Sequence, residues 1–158
     1  MICAEKLMNI MYSPEFVARL LHRFLSGSQS IKNSGIKYEL MYFLIPIVMN
    51  DKLRRSLDRA NKNSNFEQKL ITDDNRSELY YLDEYIENTR TITNQGLIYL
   101  SSYANLSIGS YIKSSELVGF DSDVEEVKEY YRAAYYLGVL LSKEEYLNVF
   151  LKTKVKCI

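Results

Sequence analysis

The chain has no tryptophan, one histidine, two cysteines and two prolines among 158 residues, and each scarcity removes a class of explanation. Cys3 and Cys157 stand at opposite ends and form no ligand spacing, which argues against a zinc site and against a disulfide-stapled fold. His22, with no cysteine or carboxylate partner near it in sequence, reads as a surface or boundary residue and not as a catalytic base. No charge of one sign dominates: twenty basic and twenty acidic residues cancel, whereas proteins that bind by neutralising phosphates usually carry a basic surplus. No apolar run approaches the ~20 residues needed to cross a hydrocarbon core. The longest, residues 40–49, is interrupted by Pro46 and reads as a buried helix. The opening residues lack a charged-then-apolar leader, so the expectation is a cytoplasmic chain with reduced thiols.

What is present is apolar material and tyrosine. With 47% hydrophobic residues, a chain of this length can bury roughly 68–70% of its unfolded surface in one core. Fourteen tyrosines supply large contact areas with a polar end, suited both to core edges and to protein interfaces.

Helix signals recur along the chain. Ser13-Pro14 reads as N-cap and first helical position, followed by Phe16, Val17, Leu20, Leu21, Phe24 and Leu25 at helical spacing, with Gly27 as terminator. After a polar loop over 26–35, a second helix is expected over 36–59 with a kink or break at Pro46. Ser64 with Glu67, Asn75 with Glu78, Ser122 with Glu125, and Ser142 with Glu145 have the capping-box spacing. They predict a short helix over 66–71, a longer one over 76–95, and two C-terminal helices. Gly96 is placed just past the end of the 76–95 helix, able to take φ > 0. Alternation over Leu97–Ser101 and 106–113 then predicts two strands joined by Tyr103-Ala104-Asn105. On the first of the two C-terminal helices, Ala134 and Gly138 fall on the apolar stripe and predict a close helix neighbour.

The resulting architecture is mainly α with a small β-hairpin, a helical bundle built around a winged helix-turn-helix module. It is read as one domain, with N-terminal helices over 13–59, a winged-helix-like part over 64–116 and C-terminal helices over 122–152. The basic end of the second helix, Lys52, Arg54, Arg55, Arg59 and Lys62 against Asp51 and Asp58, has two readings. It is either a solvated helix end complementing the dipole, or a contact for an acidic partner or phosphate. The helix expected to enter a DNA groove carries Arg76 and Arg90 against Glu78, Asp83, Glu84 and Glu87, a poor composition for a face that must meet phosphates. That favours protein contact through Asp83, Glu84, Glu87, Tyr99 and Tyr111. No phosphate loop, metal-ligand cluster or nucleophile elbow occurs, and the expectation is a non-enzyme without cofactor.

The order of these pieces resembles the middle component of three-component ABC-type bacterial defence systems, which include the Lamassu type. The resemblance runs from about Asn9 to Val155. It rests on Ser13-Pro14 through Leu20-Leu21-His22-Arg23-Phe24, on Leu44-Ile45-Pro46-Ile47-Val48 through Arg54-Arg55-Ser56-Leu57, on Gly96-Leu97-Ile98-Tyr99-Leu100, and above all on Ala134-Tyr135-Tyr136-Leu137-Gly138. Ser13 stands where Asn is more usual, and one extra residue separates Leu44 from Pro46. The resemblance implies a non-catalytic adaptor that joins an SMC/Rad50-like ATPase to an effector, often a nuclease. The effector would be restrained until foreign DNA is sensed. DNA contact would then be indirect, through the complex, and no membrane would be involved. The alternative is a winged-helix DNA-binding protein or transcriptional regulator.

Overall fold

The computed structural model of the chain describes residues 3–156 and residue 158. Its centre is the helix that starts at Ser13, whose Oγ accepts the Phe16 N–H at 3.2 Å, with Pro14 at the first helical position. A short helix α1 (Ala4–Met11) precedes it in the stretch where no period is apparent in sequence. The central helix, α2 (Pro14–Gln29), buries Val17, Leu20, Leu21, Phe24 and Leu25 between α7 (Leu82–Ser101) on one side and α8 (Glu125–Lys143) on the other.

Gly27 does not end α2, which continues to Gln29. A Cβ at Gly27 would lie 1.9 Å from the Tyr135 carbonyl oxygen, and one at Gly138 would lie 2.0 Å from the Phe24 carbonyl oxygen. Moving three residues back along α2 moves three forward along α8, so the helices run antiparallel. Backbone meets backbone at both glycines. The close neighbour expected from Ala134 and Gly138 is α2.

Residues 36–59 are not one helix. Gly35, at φ +84, turns the chain into strand β1 (Ile36–Lys37), followed by a 3-10 segment (Tyr38–Phe43), α3 (Leu44–Val48) and α4 (Asp51–Arg55). The break falls at Asn50 rather than at Pro46. Pro46 occupies the first turn of α3, where a backbone N–H has no intrahelical acceptor to lose. Asn50 takes extended backbone, and its Oδ1 accepts the N–H groups of Lys52 and Leu53, each at 3.1 Å, starting α4 afresh. Every residue from Leu40 to Val48 is buried, so the apolar run is core, as expected.

The next caps also shift. Asn65, not Ser64, caps α5 (Phe66–Leu70), accepting the Gln68 N–H at 2.8 Å. Asn75 turns inward instead of capping: its Nδ2 donates to the Leu70 carbonyl at 3.1 Å and to Ser56 Oγ at 2.9 Å, fastening α6 (Arg76–Tyr80) to the end of α4. The helix expected over 76–95 is thereby divided, with Tyr81 between α6 and α7. Gly96 lies inside α7, where a Cβ would come within 2.4 Å of Val17 Cγ1. It is a packing glycine, not a terminator, and the strand expected at Leu97–Ser101 is the last turn of α7.

The hairpin follows a turn later, as β2 (Leu106–Ile108) and β3 (Tyr111–Ser114) joined by Gly109-Ser110. Its pairs are Leu106 with Ser114, Ser107 with Lys113 and Ile108 with Ile112. β1 pairs antiparallel with β3 through Ile36 and Ile112, so the sheet order is β1-β3-β2. Ile112 is fully buried and ties this small sheet to the core.

Ser122 Oγ accepts the Val124 N–H at 3.1 Å just before α8. From α8, Arg132 donates to the carbonyls of Asp58 and Ala60 at 3.2 and 2.8 Å, and Lys143 donates to those of Lys62 and Ser64. The polar connector between α4 and α5 is held down by these two cations. The last helix, α9 (Tyr146–Thr153), buries Val149 and sets Phe150 edge-on to Phe43 at 5.5 Å. Beyond it Val155 is buried and the Lys156 N–H donates to Asp83 Oδ1 at 3.2 Å.

Candidate interaction surface on the outer face of α7

α7 is held firmly along its inner side. Leu82, Ile86, Thr93, Gly96, Leu97 and Leu100 are buried, and Tyr42 donates its hydroxyl to Asn94 Oδ1 at 2.7 Å. Burial, the largest cause, pushes the Tyr42 phenol up to about 12 by disfavouring its charged form. The outer side of the same helix carries Glu84, Glu87, Asn88, Thr91, Gln95 and Ile98, and Ser102 follows at its C-cap, all exposed. Positions three and four apart share a helix face, so this is one continuous strip. A 20-residue helix is about 30 Å long, enough for a partner to lie along.

The strip has two apolar ends. At the C-terminal end Ile98 is 71% exposed, and Tyr99 and Tyr103 are 41% and 47% exposed with ring centroids 6.1 Å apart. Beside them a groove of ≈ 610 Å³ is lined in part by Arg19, Arg23, Tyr99, Tyr103, Asp121 and Tyr131. The Arg23 guanidinium lies 4.0 Å from the Tyr131 ring centroid. Burial, ahead of other causes, pushes the Tyr103 phenol up and lowers the Arg23 guanidinium. At the N-terminal end Tyr80 is 80% exposed and Tyr81 48%.

The residues singled out from sequence are distributed unevenly. Glu84, Glu87 and Tyr99 lie on the outer strip, with Glu87 paired to Arg90 at 3.2 Å. Asp83 is half-buried and occupied by the Lys156 amide. Tyr111 is on β3, its ring centroid 5.2 Å from the Lys37 ammonium, which also lies 4.9 Å from the Tyr146 ring. The basic group is split. Arg55, Arg59 and Lys62 are exposed, but Arg54 is only 4% exposed. Arg54 donates to the Val48 carbonyl at 3.0 Å and pairs with Asp51 at 2.6 Å and Glu129 at 3.6 Å, beneath the Tyr130 ring. A guanidinium so engaged joins α3, α4 and α8 and is not presented to a phosphate. His22 is buried rather than at the surface, with Nε2 2.8 Å from the Glu116 carbonyl oxygen.

Sequence reasoning missed Tyr80, Tyr81, Ile98 and Tyr103 as surface residues. The signal was available in the phase of the helix: once Gly96 is read as internal, Ile98 falls opposite Leu97 and Leu100.

Among the described residues no three His, Cys, Asp or Glu side chains come together as a metal site, and no helix is long and apolar enough to cross a membrane. The arrangement defines a small helical protein, with a three-stranded antiparallel sheet, that offers an aromatic and acidic helix face to its surroundings. The chain belongs to the family of the ABC-three component (ABC-3C) system Middle Component 3, whose model matches residues 3–156. Neither the curated proteins nor the solved structures contain a match.

Proposed function

We propose that the chain is the non-catalytic, cytoplasmic adaptor of a Lamassu-like anti-phage system, joining an SMC/Rad50-like ATPase to an effector nuclease. The effector is held inactive until foreign DNA reaches the ATPase. The observation that carries this reading is the outer strip of α7, where Ile98 is left 71% exposed on a helix whose inner side is packed into the core. Exposed apolar and tyrosine side chains on a rigid element are the composition of a protein contact. Membership of a middle component family supplies the setting in which partners exist.

The test is co-expression of the tagged chain with the ATPase and effector of its own system. Co-elution of all three in one size-exclusion peak is expected; recovery of the chain alone would reject the adaptor reading.

A winged-helix DNA binder is the second reading, and one observation favours it. Helix α2, strand β1, helices ending in α7, then the β2–β3 hairpin, with sheet order β1-β3-β2, is the order a winged helix uses. Charge weighs against it, because α7 carries Asp83, Glu84 and Glu87 against Arg90 alone. Duplex DNA at about 50 mM salt, where phosphate-driven binding is strong, is expected to leave the isolated chain unbound.

A further inference from the structure

We propose that the junction of α6 and α7 is a docking point for an arginine-bearing segment of a protein partner. This rests on the adaptor reading and adds the chemistry of what is bound. α6 ends at Tyr80 and α7 begins at Leu82, and the break between them turns two aromatic rings outward. Tyr80 and Tyr81 meet edge to face, with centroids 5.1 Å apart and planes at 87°. The Tyr85 N–H bonds to the Tyr81 carbonyl at 3.0 Å, so helical spacing already holds from Tyr81. Glu84 and Asn88 therefore continue the face that Tyr81 opens.

The charge around this pair is one-sided. From Asp73 to Arg90 there are six carboxylates, Asp73, Asp74, Glu78, Asp83, Glu84 and Glu87, and two cations, Arg76 and Arg90, a net charge of minus four. Four of the six have partners within the chain: Asp73 with Arg76, Glu78 with Asn50 Nδ2, Asp83 with the Lys156 amide and Glu87 with Arg90. Asp74 and Glu84 are exposed and have no cation or donor among the described residues. Glu84 favours the positive end of α7, which explains a carboxylate there but not two uncovered tyrosines.

A guanidinium matches both features at once. It is planar, stacks on tyrosine faces, and forms a forked, charge-assisted pair with a carboxylate. A purely apolar segment would desolvate Glu84 without pairing it. A nucleic acid would be repelled.

The test uses the full chain co-expressed with the other two components of its system, captured over a salt series. Glu84→Lys is expected to lower capture about tenfold or more, and Tyr80→Ala by several-fold, with melting temperatures close to that of the parent. Capture by the parental chain is expected to fall steeply as salt rises, and capture that does not change with salt would overturn the guanidinium pairing. Capture of both variants at parental level would overturn the docking point while leaving the adaptor reading intact. A parental chain that captures nothing would remove both. Self-association of the isolated chain that disappears in Glu84→Lys would also overturn it, because the occupant would then be a second copy.

Discussion

Gly138→Ala is expected to destabilise the protein by about 3–5 kcal/mol, a drop of roughly 6–20 °C in melting temperature for a domain of this size. Helix propensity alone argues the other way, since alanine is favoured over glycine within a helix by about 0.5–1 kcal/mol. Geometry decides the sign. The added methyl would sit 2.0 Å from the Phe24 carbonyl oxygen and 3.0 Å from the Ser28 nitrogen, and neither backbone atom can swing aside as a side-chain tip could. Relief requires α2 and α8 to separate, which opens the core around Leu20, Phe24, Ala134 and Leu137. Gly27→Ala, 1.9 Å from the Tyr135 carbonyl, is expected to behave alike. Gly119→Ala, with nothing within 4 Å of the new methyl, is the control and is expected to change stability by no more than about 0.5 kcal/mol. Thermal melting followed by circular dichroism separates the three.

Ile98→Arg is expected to do the opposite: leave the fold alone and remove the partner. Ile98 is 71% exposed, so its replacement should move stability by less than about 0.5 kcal/mol. In the complex the same position would place a charge against a desolvated apolar patch flanked by Tyr99 and Tyr103. An unpaired charge at such a place costs several kcal/mol, and capture of the ATPase and effector should fall about a hundredfold or more. Unchanged capture would mean that another surface carries the assembly.

The legibility of this chain in its sequence follows physical lines. Local signals that act alone were readable: Ser13-Pro14 starts α2, the short helix after Asn65 exists, and of the expected stripe Val124, Val127, Tyr131, Ala134, Gly138 and Leu141 the last four are buried, while Val127 is half-buried and Val124 is exposed just ahead of α8. Glycines were the main source of error. Gly27 and Gly96 have the spacing of terminators, but each is glycine because another helix passes too close for a Cβ. That reason lies across the fold, not along the chain. Reading Gly96 as an end turned the last turn of α7 into a strand and hid Ile98 on the wrong element. Asn75 shows the same limit, since its cap-like spacing is overridden by hydrogen bonds to Leu70 and Ser56. Arg54 belonged by sequence to an exposed basic run, and only the approach of Glu129 and Tyr130 from α8 shows that it is buried.

A protein partner is proposed to cover the outer strip of α7, and thiol labelling separates the covered state from the free one. In a Cys3→Ser, Cys157→Ser background, Gln95→Cys places a reporter at an exposed position in the middle of that strip. Maleimide should modify it readily in the isolated chain and many times more slowly in the purified three-component complex. Equal labelling rates in the two states would contradict the assignment of α7 as the contact surface.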